Sequence, residues 1–342
     1  MDILQKAFDE AVQELAQSAT SEEELDAISD ALPDQLEDLL GHLPDQILST
    51  IQENARDGLE ERRANHAAFV SRDITRWQKG FDQLELLIEI AVEAGGSFNE
   101  RLRPDAAEQT DILFDIVVRL HAKGCLIGKE ILALLKNGFA DGAHARWRAL
   151  HEISVTAMFL AKHGEAAALS YSDFEFVDAY KGASQLNHYE SRINASGFSD
   201  EEISEFKSQY DAVLAKHGTH FKEPYGWAAE FLSKGRPTFF ALEEDVGLDH
   251  WRPYYKWASQ IIHANIKSLR SSLGRSETAE DILQVGPSNS GMTDPAHSTA
   301  ISLLQLTCTT LFLSPNFDDL VTAKVLATLS DQVGESFFDC DR

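Results

Sequence analysis

The chain is poor in cysteine and has no long uninterrupted apolar run. Its 342 residues include three cysteines, Cys125, Cys308 and Cys340, and these are too far apart to match the spacing of a zinc site or a redox pair. The longest apolar stretch, residues 300–313, contains Ser, Gln and Thr and is shorter than the roughly 20 residues that a membrane helix needs. We therefore expect no metal, no cofactor and no membrane segment.

Positive charge is also scarce. The chain has 30 basic against 56 acidic residues, for a net charge of −26. Residues 1–60 hold sixteen acidic and two basic residues (−14), residues 61–270 hold thirty and twenty-five (−5), and residues 271–342 hold ten and three (−7). A general nucleic-acid binder needs a basic stripe to neutralise phosphates. The charge pattern disfavours DNA as a partner and leaves RNA open at a local site.

The acidic N-terminal region has two interpretations. A run of charge usually marks a solvated face, which favours a helical extension packed on the body of the protein. The sharper interpretation is a surface for a basic protein partner or for homodimerisation. The first residues show neither a basic start nor a continuous apolar core, so no signal peptide is expected and the predicted location is the cytoplasm.

Helical periodicity dominates the chain, and no segment alternates with a period of two. Apolar residues make up 43% and charged residues 25%, as in an ordinary globular protein. We predict an all-α fold, a central antiparallel helical bundle with helical N- and C-terminal extensions and no internal repeat. The predicted parts are an acidic extension (1–60), the bundle (61–275), and a linker with two C-terminal helices (276–342).

Glycine and proline place the predicted helix ends. Pro33 and Pro44 are expected to break the N-terminal region into short helices, and Ser21 with Glu24 fits a capping box. Gly95-Gly96 is expected to end a long helix, with a loop over residues 98–103.

The stretch from Lys129 to Gly164 predicts two helices joined at residues 137–141. The second helix carries His144, Arg148, His151 and Glu152, which share one face at about 100° per residue. This face places charged groups beside core residues, so the sequence marks it as a candidate site.

The motifs of the central region resemble a bacterial family of helical proteins known only as domain of unknown function 5677. The residues that carry the resemblance are Trp77 and Phe81, the run Glu130-Ile-Leu-x-Leu-Leu-x-x-Gly138, Arg148-x-Leu150-x-Glu152, and Tyr255-x-x-x-Ser259-x-x-x-His263. The resemblance covers about residues 65–275. It implies a soluble helical bacterial protein and supplies no reaction. His151 stands where the family pattern leads us to expect an apolar or small residue.

The spacing of Tyr255, Ser259 and His263 predicts a second polar face on a later helix. If this face meets Arg148 and Glu152, the bundle would hold a buried Arg–Glu–His–Ser network, which costs several kcal/mol unless its charges are paired. One interpretation is a structural network that fixes helix register. The other is a pocket in which Arg148 holds a carboxylate or phosphate between aromatic walls such as Trp227 and Tyr255.

Two catalytic chemistries compete with a binding pocket. Arg146 and His151 fit the loose Arg-x4–6-His pattern of metal-independent ribonucleases of the HEPN type, with His151 as acid or base and Arg146 stabilising phosphate charge. Metal ligation by His144, His151 and Glu152 is disfavoured, because Arg148 lies between these residues and would repel a cation. The leading interpretation is a binding or regulatory protein, with stress or phage defence as its setting. The alternative is the ribonuclease.

Overall fold

The computed structural model describes residues 3–233, 236–263, 265–278, 280 and 282–341. Within these ranges the chain forms α-helices and short 3-10 helices, and no β-strand. The α-helices are α1 Ile3–Ser18, α2 Glu22–Gln109, α3 Ile112–Lys136, α4 Ala140–His163, α5 Glu165–Ile193, α6 Asp200–His217, α7 Phe239–Val246, α8 Arg252–Ile262, α9 Ile266–Arg270, α10 Thr293–Leu311 and α11 Phe317–Cys340. The predicted all-α class is confirmed. No helix of the described chain combines the length and apolar character that a membrane crossing requires.

The chain divides into two compact units, Met1–Phe69 and Val70–Arg342. The first unit contains α1 and the first part of α2, and none of its described side chains from residue 4 to residue 69 is buried. The division of the chain at residues 60 and 275 stays a prediction about domains.

Pro33 and Pro44 do not break the N-terminal region, contrary to expectation. Both lie inside α2, which is continuous from Glu22. Each proline removes one helical hydrogen bond and costs about 3 kcal/mol in a helix interior. The flanking leucine, glutamate and glutamine residues favour helix, and the structure keeps the helical path through both positions.

Gly95-Gly96 does not end α2, and the predicted loop over residues 98–103 is helical. The position of a Cβ atom at Gly95 would lie 2.2 Å from the ring of His121 on α3. Glycine is therefore needed here for close packing of two helices rather than for termination. The next helix begins at Ile112, where the Asp111 side chain accepts a hydrogen bond from the Phe114 N–H.

The core of the second unit is a helical bundle built on the α3–α4 hairpin. The two helices are joined at residues 137–139, where Gly138 adopts a φ of 82°. Helix α10 packs against both, and α11 packs against α10. The larger core cluster joins residues of α2, α3, α4, α10 and α11, and a second cluster lies between α4, α5, residues 221–228, α7 and α8.

The later helix that was predicted to carry Tyr255, Ser259 and His263 is divided into several pieces. Helix α8 ends at Ile262, and the backbone of His263 is extended (φ −94°, ψ 144°). Helix α9 starts with its own cap, because the Asn265 side chain accepts a hydrogen bond from the Lys267 N–H. His263 therefore does not continue the helical row of Tyr255 and Ser259.

Candidate binding site

Helix α4 is fixed by its apolar face. Trp147 is fully buried, and its indole N–H donates to the carbonyl of Ser298 (2.9 Å) and to the hydroxyl of Ser302 (3.0 Å), both on α10. These bonds set the rotation of α4 about its axis. The neighbouring residues Arg148 and Glu152 then extend toward α8.

The first half of the site joins α4 to α8. Nε of Arg148 donates to Oε1 of Glu152 (3.0 Å), and the Tyr255 hydroxyl donates to the same oxygen (2.5 Å). Nη1 of Arg148 lies 3.5 Å from the Ser259 hydroxyl. The Arg148 side chain is 25% exposed and that of Glu152 is 34% exposed, whereas Tyr255 is buried. Burial, together with the bond to Glu152, raises the pKa of Tyr255, so its hydroxyl stays protonated and donates.

The second half is a chain of three residues in which His151 and Glu243 are buried. Nε2 of His151 lies 3.0 Å from Oε1 of Glu243 on α7, and Arg252 donates from Nη1 to Oε2 of Glu243 (2.7 Å). Glu243 is fully buried and His151 is 1% exposed. A buried carboxylate is tolerated when both oxygens are paired, and here both are. Glu243 thus anchors the Arg252 guanidinium, and the Arg252 side chain remains 28% exposed.

Tyr255 connects the two halves. The guanidinium carbons of Arg148 and Arg252 each lie 4.9 Å from the centroid of the Tyr255 ring, within the range of cation–π contact. We call the seven residues the arginine network: Arg148, His151, Glu152, Glu243, Arg252, Tyr255 and Ser259.

Tyr225 lies near the arginine network and is half-buried. Its ring is 6.1 Å from that of Phe239, which in turn is 4.9 Å from Tyr255. Burial, followed by the charge of Glu152, raises the pKa of Tyr225. Its φ of 60° is rare for a residue with a side chain, and such backbone strain often occurs beside functional sites.

The comparison with known families supports the resemblance. Residues 114–281 match the family model described as a family of unknown function, DUF5677. The chain carries the DUF5677 pattern. The match includes every residue of the arginine network and starts later than the expected residue 65, so Trp77 and Phe81 lie outside it. No curated protein and no solved structure matches the chain.

Four of the predicted binding residues meet within the DUF5677 segment: Arg148, Glu152, Tyr255 and Ser259. Two others lie elsewhere. His263 is exposed at the end of α8, because the helix stops one residue before it. Trp227 is buried against Phe159 and Tyr171, with ring distances of 5.5 and 4.8 Å.

The two residues of the ribonuclease pattern point to different partners. Arg146 forms an ion pair with Glu130 of α3, whereas His151 is enclosed beside Glu243. They are five positions apart on one helix, which separates their side chains by roughly 140° around the axis. The structure therefore does not bring Arg146 and His151 to one point.

Sequence reasoning missed Glu243 and Arg252. A signal for Glu243 existed, because it follows Phe239 by four residues and Leu242 by one in a short helix whose apolar face is buried. A charged residue on such a face needs a partner. Arg252, at the start of α8, offers no comparable signal.

His144, the other histidine on this face, is completely buried beside Trp147 and Trp257. Neither ring nitrogen has a hydrogen-bond partner within the described part of the chain. Burial lowers its pKa to about 4, so the ring is neutral at ordinary pH. Over the same described ranges, no three His, Cys, Asp or Glu side chains are grouped in a way that could hold a metal ion.

Proposed function

We propose that the chain is a binding protein whose arginine network recognises an anionic group, a carboxylate or a phosphate, on a small molecule. The observation that carries this proposal is the placement of the guanidinium groups of two partly exposed side chains, Arg148 and Arg252, at equal distance from Tyr255. Each arginine is paired with one carboxylate, Glu152 or Glu243, and a bound anion would further reduce the repulsion between the two guanidinium groups.

The hydrogen-bond capacity of the two arginines supports an anion as ligand. A guanidinium has five N–H donors in a planar fork, which matches carboxylate and phosphate oxygens in pairs. Arg148 uses Nε and Nη1 for bonds to Glu152 and Ser259, and Arg252 uses Nη1 for its bond to Glu243. An anionic ligand would take the donors that these three bonds do not use. The hydroxyl group of Ser259 adds a neutral donor beside them.

The buried part of the arginine network supports pre-organisation. One carboxylate oxygen of Glu243 accepts a hydrogen bond from Arg252, and the other oxygen lies within hydrogen-bond distance of His151. A guanidinium that is already fixed loses little side-chain entropy when a ligand binds. A role as a regulatory component, and the setting in stress or phage defence, remain predictions.

Binding of inorganic phosphate and of succinate to the full chain tests this proposal. We expect both probes to raise the melting temperature, and we expect Arg148→Lys to weaken phosphate binding by about tenfold or more, because lysine keeps the charge but loses the fork. The measurement is isothermal titration calorimetry, supported by thermal melting.

Arg146→Lys is the matched control for Arg148→Lys. Arg146 lies on the same helix, is about as exposed and is also paired with a glutamate, but it lies outside the arginine network. Its substitution should leave binding unchanged. Equal losses in the two variants, or no binding of either probe to the wild type, would contradict the proposal.

The ribonuclease alternative predicts a different result in a parallel assay. An acid–base histidine must reach the ribose and phosphate of RNA, whereas the His151 ring is enclosed between α4 and α7. We therefore expect no cleavage of single-stranded RNA. Cleavage that is lost in His151→Ala would favour the ribonuclease.

A further inference from the structure

The first unit contains a short internal repeat, contrary to the expectation that the chain has none. Leu32-Pro33-Asp34-Gln35-Leu36 recurs eleven residues later as Leu43-Pro44-Asp45-Gln46-Ile47. Both copies lie within the first part of α2. An eleven-residue period corresponds to about 3.67 residues per turn, so equivalent residues stay on one side of a helix over its whole length.

Apolar residues follow this period and form one continuous stripe. We call it the leucine stripe: Leu25, Ile28, Leu32, Leu36, Leu39, Leu43 and Ile47. At about 100° per residue these side chains fall within roughly 100° of the helix circumference and extend over more than 30 Å. None of them is buried, and Leu25 and Leu36 are each 42% exposed.

An apolar stripe of this length with no buried residue is unusual for a helix that remains single. Isolated helices are marginal in water, and most helical stability in proteins comes from burying an apolar face. Here the helix also contains Pro33 and Pro44, and each of these removes a backbone hydrogen bond. The first part of α2 thus needs a partner that covers the leucine stripe.

The charge distribution around the helix indicates which kind of partner fits the leucine stripe. The acidic residues between Leu25 and Ile47 lie on the side opposite the stripe: Asp26, Asp30, Asp34, Glu37, Asp38 and Asp45. The positions that flank the stripe carry no acidic side chain: Ser29, Ala31, Gln35, Leu40, His42 and Gln46. A basic partner seated on the stripe would find no acidic rim to pair with. A second copy of the same chain can approach the stripe without bringing like charges together.

We propose that α2 pairs with α2 of a second copy of this chain through the leucine stripe, forming a two-stranded coiled coil over residues 25–47. The flanks carry no acidic residue and allow the two helices to meet, and the acidic faces of both copies point to solvent. Pairing without a shift covers the whole stripe on both helices, whereas a shift by one eleven-residue period would leave one end of each stripe uncovered. This assembly is independent of ligand binding at the arginine network.

The mass of the full chain in solution tests the proposal. We expect a dimer at micromolar concentration by sedimentation velocity. Leu39→Glu places a charge in the seam and should raise the dissociation constant of the dimer by about 100-fold or more. Gly41→Glu adds the same charge on the acidic side, where a side chain meets open space, and should leave the dimer intact. A monomeric wild type, or equal dissociation of both variants, would overturn the proposal.

Cross-linking separates loss of pairing from loss of helix. In Leu36→Cys the new thiols of two copies come together in the seam, so mild oxidation should yield a covalent dimer on a non-reducing gel. Glu37→Cys places its thiol on the acidic side and should not cross-link above the background of the wild type, which carries Cys125, Cys308 and Cys340. Equal cross-linking of the two variants would also overturn the proposal.

Discussion

Asp73 is the acidic residue of α2 whose surroundings suit a charge least. It is 1% exposed, and neither carboxyl oxygen has a hydrogen-bond partner within the described ranges. Burial raises the pKa of this carboxyl to about 7, and the charge of Arg76 offsets only part of that rise. The folded state therefore holds a proton that the unfolded chain releases near its ordinary pKa of 3.8. Stability from this group is fully present below that value and is lost as the pH rises through about 7.

Asp73→Asn should remove this pH dependence. The amide is neutral at every pH, so we expect the variant to match the wild type near pH 4 and to exceed it by roughly 2–4 kcal/mol near pH 8. Urea unfolding at the two pH values measures the difference. Asp82→Asn, at an exposed position on the same helix, is the control and should show no such change. A variant that is less stable than the wild type at pH 8 would show that the ionised carboxylate has a partner or a function.

At the scale of elements, the joint between α3 and α4 depends on Gly138. Its φ of 82° lies in the left-handed region, and its N–H donates to the carbonyl of Leu135. A side chain in this conformation costs about 1 kcal/mol, so Gly138→Ala should destabilise the fold by that amount. Its effect should appear in the free energy of unfolding measured by urea titration.

Gly142→Ala is the control for Gly138→Ala, and we expect it to change the stability in the opposite direction. Gly142 lies inside α4, and a Cβ atom there would meet Leu134 at an ordinary contact distance of 3.7 Å. Gly142→Ala should therefore stabilise the protein by about 0.5–1 kcal/mol, because alanine loses less backbone entropy in a helix. Destabilisation by both substitutions would mean that packing at the joint, rather than backbone conformation, sets its energy.

The sequence predicts helices well where period and turn signals agree. The α3–α4 hairpin has both an apolar period and the pair Asn137-Gly138, and the structure places the joint there. The predicted helix ends were wrong at a glycine and at a proline, because each of these residue types has more than one structural role. Gly95 serves close packing on His121 instead of ending a helix, and Pro33 is tolerated in a helix interior. A glycine or a proline in the sequence does not show which of these roles it has in the tertiary structure.

The candidate site could also be predicted only in part from the sequence. The i, i+4 spacing on α4 and α8 was sufficient to predict that Arg148, Glu152, Tyr255 and Ser259 lie together. His263 fits the same spacing but leaves the row, since Asn265 caps a new helix two residues later. Glu243 comes from a helix about ninety residues away from His151 in sequence, and such a contact is fixed by the packing of α7 on α4.

At the scale of the whole molecule, net charge is the dominant electrostatic feature. The chain carries −26, and its first 69 residues hold seventeen acidic against four basic residues. Exposed ion pairs contribute little to stability, generally 0–1 kcal/mol each. Repulsion among the excess carboxylates acts on the folded state as a whole, because compaction brings them closer together.

Salt should therefore stabilise this protein. Raising sodium chloride from about 0.01 M to about 0.1 M shortens the Debye length from about 30 Å to about 10 Å, which screens long-range repulsion more than it weakens pairs in contact. We expect the melting temperature to rise by roughly 2–5 °C, with the same rise in potassium chloride if screening rather than ion binding is responsible. A fall would mean that partly buried pairs such as Arg101–Asp319, which salt also weakens, outweigh the repulsion. The comparison of the two salts thus separates screening from ion binding, and the sign of the change separates the net charge of the chain from the particular contacts that hold its helices together.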